Sequence, residues 1–372
     1  MERLNPVQSK VCPVALESSE NMLICAPTGA GKTNVAMLTM LNILGQFRKA
    51  NQPDATDEET SAGDAFDLRK FKIVYIAPMK ALVQEIVKNF KRRLADYGVV
   101  VRELSGDSSL SRHQISETQV LVTTPEKWDV VTRQGEGRAY TQLVKLVIID
   151  EIHLLHDERG PVLESLVARI IRQVETTAEP VRLVGLSATL PNYADVATFL
   201  RVKPKKGLFF FDQSHRPVPL QMQYIGITER NAFKRFQLQN EICYEKALIQ
   251  RRDDNQMLIF VHSRAETGKV AKALRDIALE RDELSMFVRD GGASQEILRE
   301  EAASAKNADL REVLRYGFAI HHAGMVRGDR ELVEDLFDDG HVAVLCCTAT
   351  LGEWENLSSP WKVHDLTLSC VS

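Results

Sequence analysis

The stretch MLICAPTGAGKT, residues 22–33, decides the fold. Its four leading residues, Met22 to Cys25, are apolar and suit a buried strand. A Gly-rich run follows, and after Lys32 and Thr33 an apolar, helix-compatible pattern begins. Strand, Gly-rich turn and helix in that order make the setting of a phosphate-binding loop. Gly29 and Gly31 let the backbone curl so that amide hydrogens face a phosphate. The helix N-terminus adds partial positive charge. Lys32 offers a mobile cation to the β- and γ-phosphates, and the Thr33 hydroxyl can ligate magnesium. Ala26, Pro27, Thr28 and Ala30 complete the loop. A Gly-rich turn without function is the alternative, and the flanking strand and helix argue against it.

Outward from this loop the same rhythm repeats. Short apolar runs at 73–77, 120–123, 146–149, 181–186, 257–261, 317–321 and 342–347 alternate with helical patterns. That alternation predicts an α/β protein built of βαβ units with mainly parallel sheets. The clearest helix is 161–175, where Leu163, Leu166, Val167, Ile170 and Val174 recur at helical spacing and Pro161 suits the first turn. Residues 51–68 are acidic, small and polar, and read as an inserted surface loop. Residues 203–219 hold three prolines and the basic KPKK cluster, after which the strand–helix rhythm restarts. The expected boundary is near 213, giving domains 1–212 and 213–372.

Composition limits the alternatives. A chain of 372 residues is long enough for two domains. No run approaches the roughly 18 apolar residues of a membrane span, so no membrane partner is expected. The six cysteines form no C-x-x-C pair, and no histidine is spaced to complete a zinc site. Net charge is −4, so nucleic acid would have to be held by a local groove and not by bulk charge.

LVIIDEIH, residues 146–153, carries the second piece of chemistry. An apolar strand ends at Asp150 and Glu151, which puts both carboxylates at the carboxyl edge of a sheet, where ligands bind in open α/β folds. Asp150 can hold magnesium through water, and Glu151 can polarise an attacking water. Alone, two acids after a strand could simply cap a loop; beside the phosphate loop they point to nucleotide hydrolysis. GLSATLP, residues 185–191, follows another apolar run. Its Ser187, Ala188 and Thr189 are read as a link between the nucleotide site and a neighbouring surface.

With these three in order, the chain resembles the superfamily 2 DExH-box helicases. The match runs from LNPVQS at 4–9 to TATL at 348–351 and includes APMKALVQE at 77–85, TTPEKWD at 123–129, VHSRAETGK at 261–269 and HHAGM at 321–325. DEIHLLHDERGPVLE, SATLPNYADVATFLRV, HRPVPL and KRFQLQNEICYEK look most like the spliceosomal branch of that family, in its N-terminal helicase cassette. The resemblance implies two tandem RecA-like domains, ATP and magnesium as cofactors, and ATP-driven unwinding of RNA in pre-mRNA splicing. By the same resemblance Gln8 reads the adenine ring, and His153 links the magnesium site to the 187–189 segment. Pro78, Lys80, Thr124, Pro125 and Glu126 grip the nucleic-acid backbone from the first domain. Arg264, His322, Gly324 and Thr350 face RNA or take part in coupling from the second. It also implies a small nuclear RNA duplex with a single-stranded loading region, spliceosomal proteins as partners and a nuclear location.

After Leu351 the text GEWENLSSPWKVHDLTLSCVS departs from the family pattern. The second domain is therefore expected to be incomplete beyond 351 and to lack the motif whose arginines stabilise charge on the transferred phosphate. Such an arginine is worth roughly 10³–10⁵ in rate. An ATP- and RNA-binding fragment with little hydrolysis, or a DNA-directed relative, stand as alternatives.

Overall fold

Each apolar run of the sequence becomes a strand, and in the first of two units its side chains alternate between two packed layers. The computed structural model describes residues 3–49, 65–104, 112–133, 141–288, 292–348 and 363–367. Thr350, Cys370 and most of the acidic stretch 51–68 lie outside the described residues. The chain divides into two compact units, Met1–Leu220 and Gln221–Ser372. Residues 213–217 still pack within the first unit, through Gln213 on Thr189 and Pro217 beside Gly29.

In the first unit the described strands are β1 (Met22–Cys25), β2 (Lys72–Ile76), β3 (Val101–Leu104), β4 (Val120–Thr123), β5 (Val144–Ile149), β6 (Arg182–Ser187) and β7 (Leu208–Phe210). They form one parallel sheet in the order β3-β4-β2-β5-β6-β1-β7. Helices α1 (Pro6–Glu17), α2 (Lys32–Gln46), α3 (Lys80–Leu94), α4 (Arg112–Glu117), α5 (Pro125–Arg133), α6 (Gly160–Thr177), α7 (Tyr193–Phe199) and α8 (Pro204–Gly207) connect them. Met22 and Ile24 join one core layer with Val35, Met40 and Phe90; Leu23 and Cys25 join the other with Leu166, Val167 and Ile170. Helices therefore cover both faces, which is why the strands read as unbroken apolar runs and not as alternations. Trp128 is a core anchor on the second layer, 2% exposed.

Two buried cations lock this sheet to its helices. Arg182, at the start of β6, donates to the carbonyls of Val14, Ala15 and Glu20 and to Asn42 Oδ1, which satisfies the open C-terminal end of α1. Burial pushes its guanidinium down to about 10. Lys72, at the start of β2, does the same for α4 through the carbonyls of Ile115, Ser116 and Thr118.

The second unit has β8 (Gln256–Phe260), β9 (Phe318–His321), β10 (Val344–Cys347) and β11 (Val363–Thr367), parallel in the order β11-β8-β10-β9. Helices α9 (Ala232–Arg252), α10 (Arg264–Glu280), α11 (Ala293–Ser304), α12 (Ala308–Val313) and α13 (Arg327–Asp338) complete it. Cys346, Cys347 and Cys243 are buried thiols of this core. Beyond Leu351, where the sequence reading expected the sheet to stop, Val363–Thr367 pairs with β8 along its whole length. The pairing satisfies a row of backbone groups on β8 that would otherwise stand at an open edge. The other strands that the pattern did not predict, β3 and β7, also lie at sheet edges.

Candidate active site

Strand order, and not chain order, assembles the site. β5, β6 and β1 are neighbours, so the loops at their carboxyl ends bring together 150–153, 187–189 and 26–33. The ends are flush: Cys25 is in register with Ser187, and Ile149 with Ile76. On the other side of β5 come β2 and β4, whose ends carry 78–80 and 124–126, with Ile76 in register with Thr123.

The loop 26–33, expected to bind phosphate, is built from backbone. Ala26 N donates to Ser187 O, and Ala30 N to Pro27 O. Gly29 and Gly31 have φ of +81° and +85°, the left-handed region that side chains disfavour. A Cβ on Gly31 would also lie 2.2 Å from Gln8 Nε2. Gly31 caps α2 and no side chain caps that helix end, so its first turn is presented to an anion. Lys32 is buried and its Nζ donates to Ala26 O at 3.3 Å. Gln8 is 4% exposed. Its carboxamide accepts from Asn5 N and donates to Gly31 O at 3.4 Å, while Asn5 Nδ2 donates to Ala30 O at 2.9 Å. The α1 capping box thus buttresses the loop from below. Asn5 escaped the sequence reading, although Asn-x-x-Gln before a helix carries the capping-box signature.

On β5, Asp150 Oδ2 accepts from Tyr75 OH at 2.5 Å and Oδ1 accepts from Glu151 N at 3.0 Å. Both contacts orient the carboxylate. Tyr75 lies within the apolar β2 run, where it reads as core, so the sequence held no signal for it. Glu151 has φ of +48°. A non-Gly residue held in that region costs on the order of 1–3 kcal/mol, and such strain clusters at functional sites. Its Oε2 stands 3.1 Å from His153 Nδ1, and Ala188 N approaches the same nitrogen at 3.4 Å. One nitrogen cannot serve both. With Nδ1 protonated it donates to Glu151, the shorter contact; in the other tautomer it accepts from Ala188. In either case His153 joins the acidic pair to the 187–189 segment. Ser187 is fully buried, and the Cys25 thiol beside it is pushed up to about 11 by burial. Thr189 Oγ1 accepts from Gln213 Nε2 at 3.2 Å.

Burial holds the His153 pKa below its ordinary 6.5, with Lys32 and His156 adding to the shift. The folded state therefore binds the proton less readily than the unfolded chain. The resulting stability is complete above 6.5 and is lost as pH falls through the lowered folded value. Melting temperature followed against pH should drop more steeply below 6.5 in the wild type than in His153→Gln; parallel curves would remove His153 from that role.

Thr33 and Asp150 supply hard oxygen donors, the set that magnesium takes alongside phosphate and water. The oriented Asp150 carboxylate fits that ion. Among the described residues no cluster of three or more His, Cys, Asp or Glu is arranged to hold a metal by itself.

Pro78 and Thr124 are buried, Pro125 opens α5 and Glu126 is exposed. Lys80 opens α3. In the second unit, Arg264 opens α10 behind a Ser263 capping box. His322 Nδ1 accepts from Gly324 N at 3.1 Å, and a Cβ on Gly324 would lie 3.3 Å from Arg264 Nη1. Arg264, His322 and Gly324 are thus one cluster. His321 is instead a core residue paired with Glu334 at 2.9 Å.

A sequence-family model described as DEAD/DEAH box helicase matches residues 5–196. The U5 small nuclear ribonucleoprotein 200 kDa helicase of Drosophila melanogaster is 62% identical over 354 residues, 95% of this chain and 16% of that protein. Its Homo sapiens namesake is 59% identical with the same coverage. The pre-mRNA-splicing factor brr2 of Schizosaccharomyces pombe is 58% identical over 96% of this chain and 16% of its own length. The chain therefore spans 16% of the length of these relatives. Among solved structures, the DUF1998 helicase MrfA bound to DNA superposes with a TM-score of 0.62 at 16% identity, over 95% of this chain and 43% of that one. The Mycobacterium smegmatis helicase Lhr bound to ssDNA and AMP-PNP gives 0.56 at 20% identity, over 94% and 40%. At those identities the likeness establishes the fold.

Proposed function

Because this chain belongs to the DEAD/DEAH box helicase family, we propose that it is the part of a spliceosomal DExH-type RNA helicase that binds and hydrolyses ATP and grips RNA. The observation that carries this reading is the placing of 26–33, 187–189 and 150–153 on three adjacent strand ends, with 78–80 and 124–126 on the next two. One sheet edge thus holds nucleotide chemistry at one side and the expected nucleic-acid segments at the other.

In this reading the amides of 29–33 and the Lys32 ammonium receive the phosphates, Lys32 giving up the Ala26 carbonyl to do so. Thr33 and Asp150 would hold magnesium, which when bound neutralises phosphate charge. Glu151, fixed in its unusual backbone conformation, orients and polarises the attacking water. His153, kept neutral by burial, passes the state of that carboxylate to Ala188. Gln8, already against the loop, is placed to read the adenine. Pro78, Lys80, Thr124, Pro125 and Glu126 serve the backbone of the strand from the first unit; Arg264, His322, Gly324 and Thr350 of the second face RNA or take part in coupling. Such contacts carry no base sequence.

RNA is proposed over DNA from the names of the relatives at 58–62% identity. The same kinship suggests a small nuclear RNA duplex, spliceosomal proteins as partners and a nuclear setting. The domains proposed are a RecA-like ATP-binding domain, expected over 1–212 and extended to Leu220 by the packing of 213–217, and a RecA-like C-terminal helicase domain after it. The test is ATP turnover of the chain with single-stranded RNA, with single-stranded DNA and with neither. Turnover raised by RNA above DNA is expected. Stimulation by DNA alone would overturn the RNA assignment, and nucleotide binding without stimulated turnover would reduce the chain to a binding module.

A further inference from the structure

The loop after the acidic pair leads directly to a cation that touches both expected nucleic-acid segments. Arg159 stands immediately before α6. Its Nη1 donates to the carbonyl of Pro78, at the end of β2, and its Nε lies 3.5 Å from Glu126 Oε1, in the first turn of α5. Behind it runs a continuous series of turn hydrogen bonds: Leu154 N to Glu151 O, Asp157 N to Leu154 O, and Gly160 N to Asp157 O. Gly160 packs so tightly that a Cβ there would sit 2.0 Å from Leu155 O. The segment from Glu151 to Gly160 is therefore held as one stiff piece. Farther along α6, Arg169 pairs with Asp129 of α5, whose carboxylate also binds Arg133 at 3.0 Å.

We propose that Arg159 is a positioning residue that couples the ATP site to the RNA grip, as a strut tying Pro78 and Glu126 to the stiff segment that begins at Glu151. This rests on the function proposed above. A displacement of Glu151 on nucleotide binding travels down the turn series and reaches both grip segments through one guanidinium. Stability does not explain the ion pair. Both partners of the ion pair are more than a third exposed, and such pairs contribute only about 0–1 kcal/mol. A guanidinium can fork between a carbonyl and a carboxylate, which an ammonium does poorly. Glu126 occupies the charge that a phosphate would otherwise meet, which favours the strut over a direct RNA contact by Arg159.

The experiment measures the affinity of the 372-residue chain for a short oligouridylate with and without magnesium AMP-PNP, for the wild type, Arg159→Ala and Arg159→Lys. Hydrogen exchange on the same samples reports peptides covering 26–33, 79–94, 125–133 and 150–156. In the wild type the analogue should change RNA affinity by roughly 5–150-fold and alter exchange in all four regions. In Arg159→Ala the factor should fall to about 1, with exchange changes confined to 26–33 and 150–156, while affinity for AMP-PNP stays near wild type and the melting temperature falls by a few degrees at most. Arg159→Lys should lie between them. Wild-type coupling in Arg159→Ala overturns the strut. So does a loss of RNA affinity that is equal with and without nucleotide, which would make Arg159 a phosphate contact. If AMP-PNP leaves 26–33 unchanged in the wild type, the proposed function itself fails. Protection at 26–33 without any change at 125–133 sinks the strut alone.

Discussion

Lys32→Ala is expected to lower ATP turnover by about 10²–10³-fold, the loss typical of removing one preorganised group that meets developing charge. The unfolding temperature should stay close to the wild type's. The reason lies in what Lys32 does in the folded chain. It is buried, and its described contact is one 3.3 Å hydrogen bond to the Ala26 carbonyl. Removing a desolvated cation held by so little relieves a cost comparable to what it gives up. The backbone geometry of 26–33 proposed to receive phosphate, by contrast, comes from Gly29, Gly31 and the start of α2 and is left in place. Nucleotide should therefore still bind, more weakly, while turnover collapses. Steady-state turnover beside thermal unfolding checks this. Turnover within a few fold of wild type would mean that 26–33 is not where phosphate is handled.

Arg182→Ala should do the reverse and act first on the fold. Its guanidinium serves three backbone carbonyls and Asn42 from inside the protein, at 3% exposure. Each buried acceptor left unsatisfied costs about 1–3 kcal/mol, so a loss of about 3–5 kcal/mol is expected. For a unit of this size that lowers the melting temperature by roughly 10 °C. A functional consequence follows. α1 carries Asn5 and Gln8, which hold Ala30 and Gly31. Freeing its far end should weaken ATP affinity even where the fold survives. Urea unfolding gives the first quantity, and nucleotide titration well below the unfolding midpoint gives the second. A stability change under 1 kcal/mol would mean that water replaces the guanidinium without penalty.

The contrast between these two residues shows which features were legible in the sequence. Lys32 is readable as a candidate because everything that points to it lies within twelve consecutive residues, 22–33. The same holds for Asp150 and Glu151 after an apolar strand, and for the α6 helix, predicted at 161–175 and found at Gly160–Thr177. Arg182 is unreadable: an arginine at the start of an apolar strand looks solvated until the end of α1 and the turn after it, 162–168 residues away in the chain, place their carbonyls against it. The edge strands β3 and β7 were missed for a related reason. VREL sets two adjacent charged residues between two apolar ones, and LFF is three residues long; each is a strand because a neighbour offers a ladder.

What the sequence determined by itself was therefore local: the strand–turn–helix at 22–33, two acids at a strand end, the strand–helix rhythm and hence a parallel α/β sheet. The tertiary structure decided which of these pieces meet. The order β4-β2-β5-β6-β1 placed β5 between the strands that carry 26–33 and 187–189 and those that carry 78–80 and 124–126. It put Tyr75 on Asp150 across 75 residues and Arg159 on Pro78 across 81. The physical reason is that backbone conformation and burial period are short-range properties of the chain. Partnership across a sheet instead depends on how the whole set of strands satisfies its hydrogen bonds and buries both faces at once.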